Sequence, residues 1–366
     1  MDRAILVEKL RQGEKLKGIG GEAYIAYLVG KAPNVGIEYF VDGLIDERRR
    51  GELRAFTTQL ISQIDDNNQN IVHTMDLAEE RLFALSVHTL PGRFIPLEVS
   101  LSDTFEYLER LYNKPEKALG ITTGLPSLDG LFLGFQSGSL TLIAGPSGIG
   151  KTALAVTIAK HAALECGQAT AIFSLDLSRD LLTTRLLAIE AKVDLFRLST
   201  GRITDEEWQR LTSVSSKLSE APIYIDDTRD ISELEMHLRA YRLKREYGLA
   251  LIIVDYLQLV KVGDDAGNGE RESMLEVVRS LKKMARTLGT PVLGLVQWSN
   301  DTGRRPQAAD LSASGYGAIE QEADVIMFLD LVESCSEVEA TTGEVEKAVE
   351  LTISKQRNGP TGSIRI

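Results

Sequence analysis

Apolar residues recur at three- and four-residue spacing from Asp2 to about Leu90, interrupted at Gly18-Ile19-Gly20-Gly21, at Pro33-Asn34 and over residues 65–70. That period is helical, and the chain over residues 1–90 reads as a small all-helical unit. Pro91, Gly92 and Pro96 punctuate a connector, after which Leu101, Phe105, Leu108 and Leu111 line one face of a short helix. On the residues alone, such a stripe packs against its own domain. From Leu140 the pattern changes to short β-type runs at residues 140–144, 170–175, 222–225, 249–254, 291–296 and 324–329. Helical segments lie between them, among them 153–164, 231–247 and 271–288, each long enough for a right-handed crossover. This alternation predicts an α/β fold with a mainly parallel sheet covered on both faces. Two further β-like segments, 348–354 and 362–366, flank Lys355-Gln356-Arg357-Asn358-Gly359-Pro360.

The loop after the first run reads Gly145-Pro146-Ser147-Gly148-Ile149-Gly150-Lys151-Thr152, a full GxxxxGK[ST] match between a strand and a helix. Its glycines let backbone N–H groups converge on phosphate oxygens, and the helix N-terminus adds positive potential. Lys151 reaches the β- and γ-phosphates of ATP, and the Thr152 hydroxyl ligates Mg²⁺. A run of apolar residues ending in Asp255 follows about a hundred residues later, as a Walker B strand does, so Asp255 is expected to hold the magnesium through water. Alone, an Asp at a strand end is more often a turn or cap residue; the loop upstream reverses that reading.

Composition narrows the picture only in part. With 366 residues, two domains are the default, and the chain contains no apolar run of the roughly eighteen residues that a membrane helix needs. Residues 1–20 carry charges where a signal peptide would be apolar, which predicts a cytoplasmic protein without a membrane partner. Cys166 and Cys335 stand far apart and outside any Cys/His cluster, which argues against a zinc site or a disulfide framework. A formal net charge of −12 restricts any DNA binding to a local concentration of positive charge.

Several ordered words carry a resemblance. They are Thr123-Gly124-Leu125-Pro126-Ser127-Leu128-Asp129, Phe173-Ser174-Leu175-Asp176-Leu177-Ser178, Ala221-Pro222-Ile223-Tyr224-Ile225-Asp226-Asp227 and Val254-Asp255-Tyr256-Leu257-Gln258-Leu259. Gly317-Ala318-Ile319-Glu320-Gln321-Glu322-Ala323-Asp324 and the Lys355 to Gly362 stretch complete the set. With the P-loop they resemble the motor domain of DnaB-type replicative DNA helicases. The helical part, through Gly20-Gly21-Glu22-Ala23-Tyr24-Ile25-Ala26 and Ile37-Glu38-Tyr39-Phe40, is similar to the second half of that family's N-terminal domain. The resemblance therefore implies a partial helical domain over 1–90, a connector and linker helix over 91–120 and a RecA-like ATPase domain over 121–366. The family's chains are longer at both ends, so this one reads as a shortened relative, a phage-type one being among the candidates.

In that family six subunits form a ring, ATP binds between neighbours and single-stranded DNA passes through the centre, with a primase and a helicase loader as further partners. The resemblance implies that Lys355 and Arg357 reach the next subunit's nucleotide, Arg357 as an arginine finger. It implies that Gln297 senses the γ-phosphate, that Arg185 lies near the nucleotide, and that the helix around residues 101–111 docks on the adjacent subunit rather than its own domain.

Two departures stand out. The family has Glu where this chain has Asp176, the acid expected to orient the attacking water. In the DNA-facing segment the family's Arg-Glu pair is missing from Leu311-Ser312-Ala313-Ser314-Gly315, and Tyr316-Gly317 follow. Backbone N–H groups at Ser314 and Gly315, with Arg304 and Arg305, are the expected DNA contacts. Two functions stay open on these residues: an ATP-driven 5′-to-3′ helicase ring, and a DNA-binding or ring-forming module with impaired hydrolysis. A RecA-like recombinase or signalling ATPase keeps the P-loop but leaves the Ile319-Glu320-Gln321 and Lys355-Gln356-Arg357 words unexplained.

Overall fold

A computed structural model describes residues 37–65, 71, 74–75, 78, 81–82, 96–113, 120–261, 270–298, 307, 319–333 and 347–366. The chain divides into two compact units, Met1–Gly92 and Arg93–Ile366. In the first, α1 (Ile37–Asp65) is a helix of 29 residues. The helical reading of residues 1–36 and the connector residues Pro91 and Gly92 lie outside the described residues.

The second unit opens with α2 (Leu97–Asn113), the helix that carries the apolar stripe. Among its described side chains, Leu97 is 73% exposed, Phe105 67% and Tyr112 88%. Beyond it lie β1 (Leu140–Gly145), α3 (Lys151–Lys160), β2 (Thr170–Ser174), α4 (Arg179–Ala191), α5 (Asp205–Ser219) and β3 (Ile223–Asp226). They are followed by α6 (Glu233–Tyr247), β4 (Leu251–Asp255), α7 (Glu270–Leu288), β5 (Val292–Gln297), α8 (Ile319–Glu322), β6 (Val325–Glu333), β7 (Lys347–Gln356) and β8 (Gly362–Arg365).

The eight strands form one sheet in the order β3-β2-β4-β5-β1-β6-β7-β8. Strands β3 to β6 in that order are parallel, while β7 and β8 are added antiparallel. The inner strands are buried on both faces, which is why they read as unbroken apolar runs. Alternate residues of one strand feed two separate cores. Leu140, Leu142 and Ala144 of β1 pack with Met236 and Ala240 of α6 and with Val277, Val278, Leu281, Met284 and Ala285 of α7. Ile143 joins Leu154, Ala155, Ile158 and Ala159 of α3 and Leu182 and Leu186 of α4 on the opposite face.

The helices start where their caps dictate. Thr204 accepts from the Glu207 N–H while the Glu207 carboxylate accepts from the Thr204 N–H, and Ser232 and Glu235 repeat this box at the start of α6. The expected helix 153–164 instead begins at Lys151 and passes at His161–Glu165 into a π turn, in which the Cys166 N–H bonds the His161 carbonyl. The expected run 249–254 begins as a strand only at Leu251, because Gly248 ends α6 in the left-handed region at φ 72°. Leu249 is still buried, so an apolar run marks burial and not the ladder's first rung. β6 reaches Glu333, well past residue 329, because β7 stays paired with it as far as Lys347.

Candidate nucleotide site

The carboxyl ends of the parallel strands meet at one edge of the sheet, where open α/β sheets bind their ligands. Gly145 ends β1 and the loop turns back into α3 through Gly148 (φ 76°) and Gly150 (φ 108°), conformations that side-chain-bearing residues rarely adopt. The backbone N–H groups at the start of α3 therefore open on the loop's concave side. Lys151 is 8% exposed, and its ammonium donates to the carbonyls of Gly145 at 2.8 Å and Pro146 at 2.7 Å. Burial lowers its pKa, and the negative charge of Asp255 opposes that shift.

Thr152 donates its hydroxyl hydrogen to an oxygen of Asp255 at 2.7 Å. Asp255 is 3% exposed. Its pKa is raised, first by burial and also by Asp176; the Thr152 hydrogen bond, Lys151 and Arg185 pull the other way. A buried carboxylate beside a hydroxyl is a donor set that fits Mg²⁺, which commonly takes one or two protein oxygens and completes its octahedron with water and substrate phosphates. Asp176 follows Leu175, whose N–H bonds the Asp255 carbonyl at 2.8 Å, and it is exposed at the mouth of the site. Tyr256 is half-buried there, its hydroxyl pKa raised by burial and then by Asp176 and Asp255.

Gln297 ends β5 in register with Gly145, so it stands beside the first residue of the phosphate loop. Lys151, Thr152, Asp176, Arg185, Asp255 and Gln297 thus gather at one edge.

Lys355 and Arg357 do not join them. β7 runs antiparallel, and its end at Gln356 pairs with Val325, the start of β6, which in turn pairs with Thr141 near the start of β1. The strand length from Thr141 to Gly145 alone is about 13 Å. Lys355 donates to the carbonyls of Glu320 and Ala323, the latter at 2.7 Å, and Arg357 donates to the Gln321 carbonyl at 2.8 Å and faces Asp324 at 3.4 Å. The Lys355 pKa is lowered by burial and by Arg357, against the pull of Glu320, Asp324 and Glu322. Both cations therefore sit on α8 and its C-terminal carbonyls. Arg304, Arg305, Ser314 and Gly315 lie outside the described residues.

Sequence reasoning does not single out Gln258, which lies under Gln297, or Tyr256. Neither belongs to a spacing rule; their place in the Val254 to Leu259 word, just after the Asp255 strand, is the signal that could have drawn attention.

The profile of the DnaB-like helicase C terminal domain matches residues 120–366. The replicative DNA helicase DnaB of Geobacillus stearothermophilus is 32% identical over 371 residues, covering 100% of this chain and 80% of that one. The replicative DNA helicase DnaC of Bacillus subtilis (strain 168) is likewise 32% identical over 374 residues, with 100% and 80% covered. Among solved structures, an isolated ATPase domain superposes with a TM-score of 0.65 at 26% identity over 75% of this chain and 95% of that chain. A DnaB-like replicative helicase studied with its primase interactions gives a TM-score of 0.71 at 24% identity, covering 100% of this chain and 84% of the other. That last likeness speaks for the fold, a RecA-like core. No helix among the described residues is long and apolar enough to cross a membrane. By its matched domain and its full-length relatives, the chain belongs to the family of DnaB-type replicative DNA helicases.

Proposed function

We propose that this replicative helicase drives DNA unwinding by hydrolysing ATP at sites completed by a second copy of the chain. The observation that carries the reading is the separation of the two halves of the chemistry. The phosphate loop, Thr152 and Asp255 lie at one edge of the sheet, and Lys355 and Arg357 at the other. No bending of one chain brings Arg357 to its own P-loop across a fully hydrogen-bonded sheet, whereas a neighbour stacked head to tail supplies it.

Lys151 exchanges the Gly145 and Pro146 carbonyls for the β- and γ-phosphate oxygens of ATP. Thr152 and Asp255 hold Mg²⁺, which when bound neutralises charge on the phosphates. Asp176 orients the attacking water, Arg185 adds positive charge near the nucleotide, and Gln297 registers whether a γ-phosphate is present. Lys355 and Arg357 from the neighbouring copy stabilise charge on the transferring phosphoryl group; a guanidinium in a closed interface does this better than solvent. Arg304, Arg305 and the backbone at Ser314 and Gly315 meet the phosphates of single-stranded DNA. The ring is a hexamer, and primase and a loader are its partners in replication, as the family resemblance implies.

The test is ATP turnover with and without single-stranded DNA, alongside strand separation on a forked duplex. DNA-stimulated hydrolysis with strand separation is expected. Tight DNA binding without turnover would leave the alternative of a hydrolysis-impaired DNA-binding ring, which the shortened Asp176 favours.

A further inference from the structure

The paired stretch of β4 and β5 ends at Val254 and Gly294. Along β5 the N–H groups alternate sides: Val292 donates to Ser139 and Trp298 to Gly145, both toward β1, at 2.9 Å each. The N–H and C=O of Gln297 consequently point the other way, to where β4 has already stopped at Asp255 and the chain turns into a 3-10 turn at Leu257–Leu259. There the Gln258 side chain takes the place of a strand. Its Nε2 donates to the Gln297 carbonyl at 2.8 Å, and its Oε1 accepts from the Gln297 N–H at 3.3 Å. A primary carboxamide presents a donor N–H and an acceptor oxygen on the same side, so one side chain satisfies both main-chain groups of Gln297.

The opposite side of Gln297 is equally tied. Gln297 is in register with Gly145, Trp298 donates to the Gly145 carbonyl, and the Trp298 ring packs edge-on against Phe328 with centroids 4.9 Å apart. Gln297 is thus gripped between Gln258 and the first residue of the phosphate loop.

We propose that Gln258 is a positioning residue for Gln297: its carboxamide fixes the main chain from which the sensing side chain projects beside the phosphate loop. The idea rests on the role given to Gln297 above. Substituting Gln258 by an apolar residue of similar length keeps the volume and deletes both hydrogen bonds, leaving the Gln297 backbone free to rotate away from Gly145. Other amide residues do not replace it, because an Asn carboxamide ends one methylene short of these main-chain groups.

Two measurements on the full chain decide it. The first needs no activity: with the exposed Trp208 changed to Phe, Trp298 is the sole tryptophan. Acrylamide quenching of Trp298 is expected to rise at least twofold in Gln258→Met, and quenching equal to the parent overturns the clamp. The second is a kinetic cycle. Gln258→Met is expected to lower DNA-stimulated kcat about tenfold with KM for ATP within about twofold, and to add nothing further in a Gln297→Ala background. Undiminished kcat, or losses that multiply in the double variant, overturn the positioning role. A parent without DNA-stimulated turnover counts against the proposed function instead, and the quenching result still decides the clamp.

Discussion

Asp176 stands one methylene short of the acid that the family resemblance places there. Phosphoryl transfer leaves the protein mostly positioning and charge stabilisation to perform, and a displacement near 1 Å costs on the order of 10²-fold when positioning dominates. Asp176→Glu is therefore expected to raise DNA-stimulated turnover. Asp176→Ala should lower it further while ATP affinity stays nearly constant, because Lys151, Thr152 and Asp255 are the residues proposed to hold the phosphates and metal. Phosphate release read continuously gives both rates, and an Asp176→Ala variant as fast as the parent removes the residue from this role. A second residue sets a pH dependence of stability. His237 on α6 is 5% exposed, and burial, aided by the charge of Lys283, lowers its pKa to about 4. The folded chain thus keeps the ring neutral where the unfolded chain, with an ordinary value near 6.5, takes up a proton. The resulting stability is intact above about pH 6.5 and is lost as pH falls toward 4, by about 2 kcal/mol between pH 7 and pH 5. Urea midpoints at those two pH values should converge in His237→Gln relative to the parent; an unchanged difference would show that other groups carry it.

Helices and strands are legible in the sequence where a local rule suffices. The GxxxxGK[ST] loop names its own geometry, since the left-handed conformations at Gly148 and Gly150 and the helix starting at Lys151 are what that spacing requires. The strands are visible as apolar runs, most ends displaced by one or two residues, as at Leu249 where burial extends past the hydrogen-bonded ladder, whereas β6 runs on to Glu333 because β7 stays paired with it. Apolar spacing does not single out α4 and α5, although Ser178 and the Thr204–Glu207 box announce their starts. Pairing across the sheet is not legible at all. No spacing rule shows that Gln258 reaches under Gln297, or that β7 carries Lys355 to the far edge, because both follow from contacts between residues distant in sequence. The caps themselves yield a test. Thr204→Ala and Ser232→Ala should each cost about 1 kcal/mol, and the losses should add because the two caps serve different helices. Denaturant midpoints measure this, and a double variant no less stable than either single one would contradict it.

For the whole molecule, the separation of phosphate loop and Arg357 makes complementation the informative experiment. Lys151→Ala chains and Arg357→Ala chains are each expected to be inactive alone. Mixed in equal amounts, they should recover part of the turnover at interfaces that join an intact loop to an intact finger. Demonstrably mixed assemblies without recovery would place both residues in one chain's site. DNA binding is expected to be independent of base sequence and to weaken steeply with salt, since phosphate contacts carry no base information and release counterions. Titrations of fluorescent oligonucleotides of different sequence at several salt concentrations check this; affinity indifferent to salt would contradict it.

The antiparallel β7 also gives the molecule two unlike ends, one carrying the phosphate loop and one offering the cations Lys355 and Arg357. On the proposed shared site, copies that meet through these ends in a head-to-tail row leave one unused end at each terminus until the row closes. Under that proposal a solitary chain owns no complete site, an open row owns one fewer than its members, and closure gives every member its own. Turnover per chain should accordingly climb with protein concentration and level off where rings close, and the shape of that curve, not the height of its plateau, reports how tightly the ends hold.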